Sequence, residues 1–144
     1  MKNNNYPNWL VPLDIAIKLK EIGFNKKTMF YFFSADTTFK FSISEDIPLD
    51  YILPIGDVEL DNYNKKGFYA SIPIWEQVFE WFREKGYHGV IAVKDEDGKN
   101  EYSYGIDYLN ELSSDFEHDS HLTYEEAREA LVKALIQTYK SEQL

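Results

Sequence analysis

Two of the 3 histidines and three carboxylates lie in one short run, Asp115-Phe116-Glu117-His118-Asp119-Ser120-His121. Imidazole nitrogen and carboxylate oxygen are donors suited to Zn or Mn, so Asp115, Glu117, His118, Asp119 and His121 are the candidate ligands if the chain holds a metal. The spacing follows no fixed scheme such as H-E-x-x-H on a helix, and no Cys occurs that could complete a thiolate shell. Polar residues also gather ahead of a helix, where acids complement its dipole, and that is the expectation here, with no metal bound. A small enzyme or metal-binding protein built on this run is the alternative reading. His88 stands at the start of an expected strand, where a hydrogen-bonded or solvated imidazole is expected rather than a catalytic base.

Other chemistry is excluded by composition and spacing. Zero Cys removes disulfides, thiolate nucleophiles and iron–sulfur clusters. The 7 glycines are scattered and form neither a phosphate loop nor a dinucleotide fingerprint, and no serine sits in a G-x-S-x-G elbow. No catalytic residue and no cofactor is therefore expected. Net charge is −10, and it is uneven: residues 1–70 carry 9 acids and 8 bases, residues 71–144 carry 16 acids and 7 bases. Phosphate backbones are bound by Lys and Arg that displace counterions, so the acidic half is expected to bind no nucleic acid.

What remains is contact chemistry. The chain has 11 Tyr, 10 Phe and 3 Trp in 144 residues, enough ring surface for a folded core and for an interface. Tyr102 and Tyr104 share one side of an expected strand: covered by helices that face is core, and facing water it marks, with Tyr108 and Trp81, the candidate contacts for a partner protein. Tyr63 and Tyr69 are candidates of the same kind. A second copy of the chain is the other partner such a surface admits. No apolar run near the N-terminus reaches signal or membrane-span length, which points to a cytoplasmic protein with no membrane role.

The elements that must position these residues are readable from periodicity. Leu13 to Ile22 has Ile15, Ala16, Leu19 and Ile22 on one face, and Gly23 follows as a left-handed stop. Pro73 to Lys85 carries a broad apolar band that includes Trp75, Val78, Trp81 and Phe82, and stops at Gly86. Thr123 with Glu126 forms a capping box, with Leu122 and Ala127 at staple positions, opening a helix that runs to about Tyr139. Met29 to Phe33 and Thr38 to Ser44 read as one hairpin around Ser34-Ala35-Asp36; His88 to Lys94 and Tyr102 to Ile106 read as a second around Asp95-Glu96-Asp97-Gly98. Residues 45–70 are expected to be an irregular connection, with short edge strands at Tyr51 to Ile55 and Phe68 to Ile72, and residues 1–11 a flexible lead-in. The expected fold is one α+β domain over 1–144: an antiparallel sheet made from two helix–hairpin units, α-β-β-(β)-α-β-β-α, with helices packed on it. The helix ends "LKEIGF" and "FREKGY" match in form, which suggests that the unit is used twice.

The segments "KLKEIGF", "SIPIWEQVFEWFREKGYHGVIAVKDEDGKNEYSYGI" and "LTYEEAREALVKALIQTYK" together resemble a set of small uncharacterised proteins of bacterial phages and prophages. The resemblance covers residues 13–24 and 71–140 and rests on Pro, Gln, a W(F/L)RE helix end, a Tyr-rich hairpin and TYEEA. It implies a phage-related accessory protein and transfers no catalytic residue.

Overall fold

The computed structural model describes residues 6–34, 60–108, 114–116 and 120–143. It is an α+β protein whose described residues form two compact units, divided after Gln77.

In the first unit, α1 spans Leu13–Glu21 and follows Pro12, whose extended backbone starts it. Asp14 in the first turn and Lys18 and Lys20 in the last complement the helix dipole. Ile15, Ala16 and Leu19 are buried, as the spacing requires. Gly23 takes a φ of 95°; its N–H donates to the Lys20 carbonyl at 3.1 Å, while the Phe24 N–H donates to Leu19 at 3.0 Å. This is a Schellman stop, and its apolar clasp is the buried Phe24. Strand β1 (Phe30–Phe33) then pairs antiparallel with β2 (Tyr69–Ile72), from Phe30 opposite Ile72 to Phe33 opposite Tyr69. Phe32 and its partner Ala70 face the core, which turns Tyr31 and Phe33 to the other side.

Residues 6–11 are built into this unit, which corrects the expectation of a flexible lead-in. Leu10 bridges Ile74, the Val11 N–H donates to the Pro73 carbonyl at 3.0 Å, and Leu10 and Val11 are buried. The Tyr6 hydroxyl donates to the Val11 carbonyl. Burial, helped by the carboxylate of Asp14, pushes that phenol well above its ordinary pKa.

Helix α2 spans Trp75–Glu84. Just ahead of it the Ile74 N–H donates to Oε1 of Gln77 at 3.0 Å, the glutamine half of a capping box. Gly86 ends it at a φ of 94°.

The second unit is built on a long hairpin, β3 (Tyr87–Glu96) and β4 (Lys99–Tyr108), closed by Asp97-Gly98. Both turn residues have positive φ, 54° and 76°, the type I′ geometry that matches strand twist. A short β5 (Ser114–Phe116) pairs antiparallel with β4, and helix α3 (Tyr124–Glu142) crosses the sheet. Gly89 explains how closely α3 lies: a Cβ added there would meet Cδ2 of Leu131 at 2.8 Å. Thr123 caps α3, its Oγ1 accepting from the Glu126 N–H at 3.1 Å, whereas Leu122 is 80% exposed and makes no staple. Among the described residues no helix is long and apolar enough to cross a membrane.

The described strands make two sheets, β1-β2 and β3-β4-β5, rather than one. The second hairpin forms where the sequence places it. The expected strand Thr38 to Ser44, the turn residues Ala35-Asp36 and the expected strand Tyr51 to Ile55 lie outside the described residues.

Candidate functional site

The first unit gathers five aromatic side chains, Tyr31, Phe33, Tyr63, Phe68 and Tyr69, on the outer face of β1–β2. Period-2 alternation brings Tyr31 and Phe33 to that face, and a 3₁₀ turn at Tyr63–Lys65 adds the ring of Tyr63. Tyr31 stacks on Tyr63 at 4.5 Å between centroids and meets Tyr69 edge-on at 5.4 Å. Phe33 lies 5.2 Å from Tyr69 and 6.2 Å from Phe68, which continues the row. Phe33 and Phe68 are 52% and 49% exposed, so half of each ring is open to a partner.

Polar groups beneath and beside the rings fix this face. The Lys20 ammonium donates to the carbonyls of Asn64 at 3.3 Å, Lys66 at 2.8 Å and Tyr69, and burial lowers its pKa. Asn64 joins two elements: its Nδ2 donates to the Phe24 carbonyl at 3.0 Å, and its Oδ1 accepts from the Ser71 N–H at 2.8 Å. The Lys66 ammonium stands 5.6 Å from the ring centroids of both Tyr63 and Tyr69, a cation–π contact at the rim. Asp61 pairs with Lys65 at 3.3 Å and Lys66 at 3.5 Å. Desolvation pushes the Asp61 carboxyl up, but hydrogen bonds from Lys65, from the Asn62 N–H and from Lys66 hold it below the usual range.

The residues singled out in the sequence are dispersed. Asp115 lies in β5 opposite Ile106, and Glu117, His118 and Asp119 lie outside the described residues. His121 exchanges two backbone hydrogen bonds with Tyr102, at 2.9 and 2.7 Å, and its ring stacks on Tyr104 at 6.4 Å. Among the described residues no group of three or more His, Asp or Glu side chains stands together as a metal site. His88 is in β3 opposite Asp107. Tyr102 and Tyr104 are half-buried on β4, Tyr102 meeting Tyr124 edge-on at 6.3 Å; Tyr108 ends the strand opposite Tyr87.

Trp81 is no surface contact. It is 2% exposed, packed edge-on against Phe82 at 5.1 Å and Tyr139 at 5.2 Å, with the Lys85 ammonium 5.1 Å from its ring. The apolar band of α2 is broad enough to bury both tryptophans, and the Trp75 indole N–H donates to the Asn8 carbonyl at 2.8 Å.

Sequence reasoning named Tyr63 and Tyr69 but missed Tyr31, Phe33 and Phe68. The run Phe30-Tyr31-Phe32-Phe33 reads as continuously apolar, and in such a run nothing local tells the inner face from the outer. The tyrosine at 31 was the one usable signal, since its hydroxyl favours a face that reaches water.

Neither a family model, a curated protein nor a solved structure matches the chain.

Proposed function

We propose that the protein is a non-enzymatic interaction module that binds another protein, the accessory role implied by its resemblance to small phage and prophage proteins. The observation that carries this reading is the row of rings Tyr31, Tyr69, Phe33 and Phe68, with its last two members half-open to solvent. Tyrosine and phenylalanine held in contact offer apolar area at little further entropic cost, because packing has already fixed their rotamers. The Lys66 and Asp61 rim supplies orientation around an apolar centre, the usual division of labour in an interface. The charge that disfavours a nucleic-acid partner lies in residues 71–144, with 16 acids against 7 bases, whereas residues 1–70, which carry the aromatic face, are near neutral with 9 acids and 8 bases.

A photo-crosslinking amino acid at position 68, in cells that naturally produce the protein, tests the reading. One discrete protein adduct that disappears when Phe33→Ser is added is the expected result. Recovery of uncrosslinked protein alone, or adducts indifferent to Phe33→Ser, contradicts it.

A further inference from the structure

We infer that the free edge of β3 is a second binding site, which takes up an extended, basic segment of another protein as an added antiparallel strand. This edge belongs to the second unit and the aromatic face to the first, and each has its own test.

Hairpin geometry decides which backbone groups are available. Glu96 and Lys99 flank a two-residue turn and are therefore a hydrogen-bonded pair, and hydrogen-bonded and non-bonded pairs alternate from there down an antiparallel ladder. The even-numbered residues of β3 point their N–H and C=O at β4, and Gly89, Ile91 and Val93 point theirs away. The other side of the hairpin confirms the phase. Tyr102, opposite Val93, spends both backbone groups on His121, away from β3.

Among the described residues no strand lies beyond β3, because the sheet runs β3-β4-β5. Natural edges of this length are usually blunted by proline, a bulge or inward charges. Over Gly89 to Val93 none of these occurs: the stretch is Gly-Val-Ile-Ala-Val, its ladder to β4 is continuous, and its Val93 is 60% exposed. An incoming strand would meet three backbone donors and three acceptors and an apolar side-chain row, the terms on which strand addition works.

Charge selects the occupant. Residues 78–144 carry 15 acids and 7 bases, and exposed Asp95 and Asp97 stand at the distal end of this edge. Pairing two copies through β3 would join two such acidic units, which self-repulsion opposes. A strand alternating apolar residues with Lys or Arg meets the opposite field and gains from it.

The test is titration of the ¹⁵N-labelled full chain with the synthetic peptide acetyl-KVKVKVK-amide at low salt. The amide signals of Gly89, Ile91 and Val93 are expected to shift. The glutamate analogue should bind at least about tenfold more weakly, and so should a lysine peptide N-methylated at alternate residues along its pairing edge. The N-methylated peptide leaves the protein unaltered, so folding defects cannot imitate its effect. Ile91→Pro deletes one outward N–H and is expected to weaken binding with an unchanged circular dichroism spectrum. Absence of shifts at these amides, equal binding of the lysine and glutamate peptides, or a dimer in sedimentation that Ile91→Pro dissolves would overturn the inference.

Discussion

The two sheets are assembled by opposite means. β3 and β4 are joined by two residues, and their register follows from a type I′ turn and from alternation on either side of it. β1 and β2 are antiparallel as well, but Phe33 is paired with Tyr69 across a long stretch of chain, so no turn sets their register. That register is held by side chains arriving from elsewhere, Lys20 from α1 and Asn64 from the 3₁₀ turn, and by burial of Phe32 against Ala70. A locally closed hairpin can leave its edge open. A sheet closed from a distance has its polar groups committed beneath it and shows rings on its outer face.

The comparison breaks first at Asn64. Asn64→Ala leaves the Phe24 carbonyl and the Ser71 N–H without their side-chain partner, and should cost about 2 kcal/mol, at the upper range for part-buried hydrogen bonds. Urea denaturation reads this, and a cost below that of a single exposed hydrogen bond would mean that β2 is held otherwise. In the second unit, Gly89→Ala forces the buried Leu131 side chain to move and should destabilise by about 1–2 kcal/mol. Adding Leu131→Val should recover part of that loss if the close approach is the cause. Thr123→Ala removes the cap of α3 and should cost about 1 kcal/mol, seen as a lower urea midpoint.

An effect of the same size at neutral pH, and smaller above pH 10, comes from Tyr6. Tyr6 has its pKa raised by burial, so the unfolded chain loses that proton near the ordinary value of 10.0 while the folded chain keeps it. Above that pH the folded state binds more protons than the unfolded one, and stability falls as pH rises. Below it the tyrosine contributes its full hydrogen bond to Val11. Tyr6→Phe should therefore be less stable than the parent at pH 7 by about 1 kcal/mol, with the gap narrowing above pH 10 in a series of thermal melts. A gap that stays constant would place the Tyr6 hydroxyl in water.

Much of the fold was legible because its signals are local. Gly23 and Gly86 mark helix ends by conformation, Thr123 marks a helix start by its side-chain oxygen, and Asp97-Gly98 marks a hairpin by its positive φ. Each of these can be read within a few residues. The β1–β2 pairing, the Leu10–Ile74 bridge and the approach of Leu131 to Gly89 are meetings of distant segments, and composition is silent on them. Leu122 shows the limit even of local rules: it occupies a staple position, and stands exposed. The candidate site was only partly legible for the same reason. Tyr63 and Tyr69 were named for their residue type, whereas Phe33 and Phe68 become a surface only when β1 meets β2 with Phe32 turned inward.

Hydroxyl-radical footprinting read by mass spectrometry tests the central claim most directly, because it reports ring accessibility residue by residue without a partner in hand. Phe33 and Phe68 should be oxidised readily while the buried Phe24 and Phe82 stay protected, and Trp9 should react where Trp81 does not. Protection of Phe33 and Phe68 to the level of Phe24 and Phe82 would show that the aromatic face is already covered, and would contradict the account.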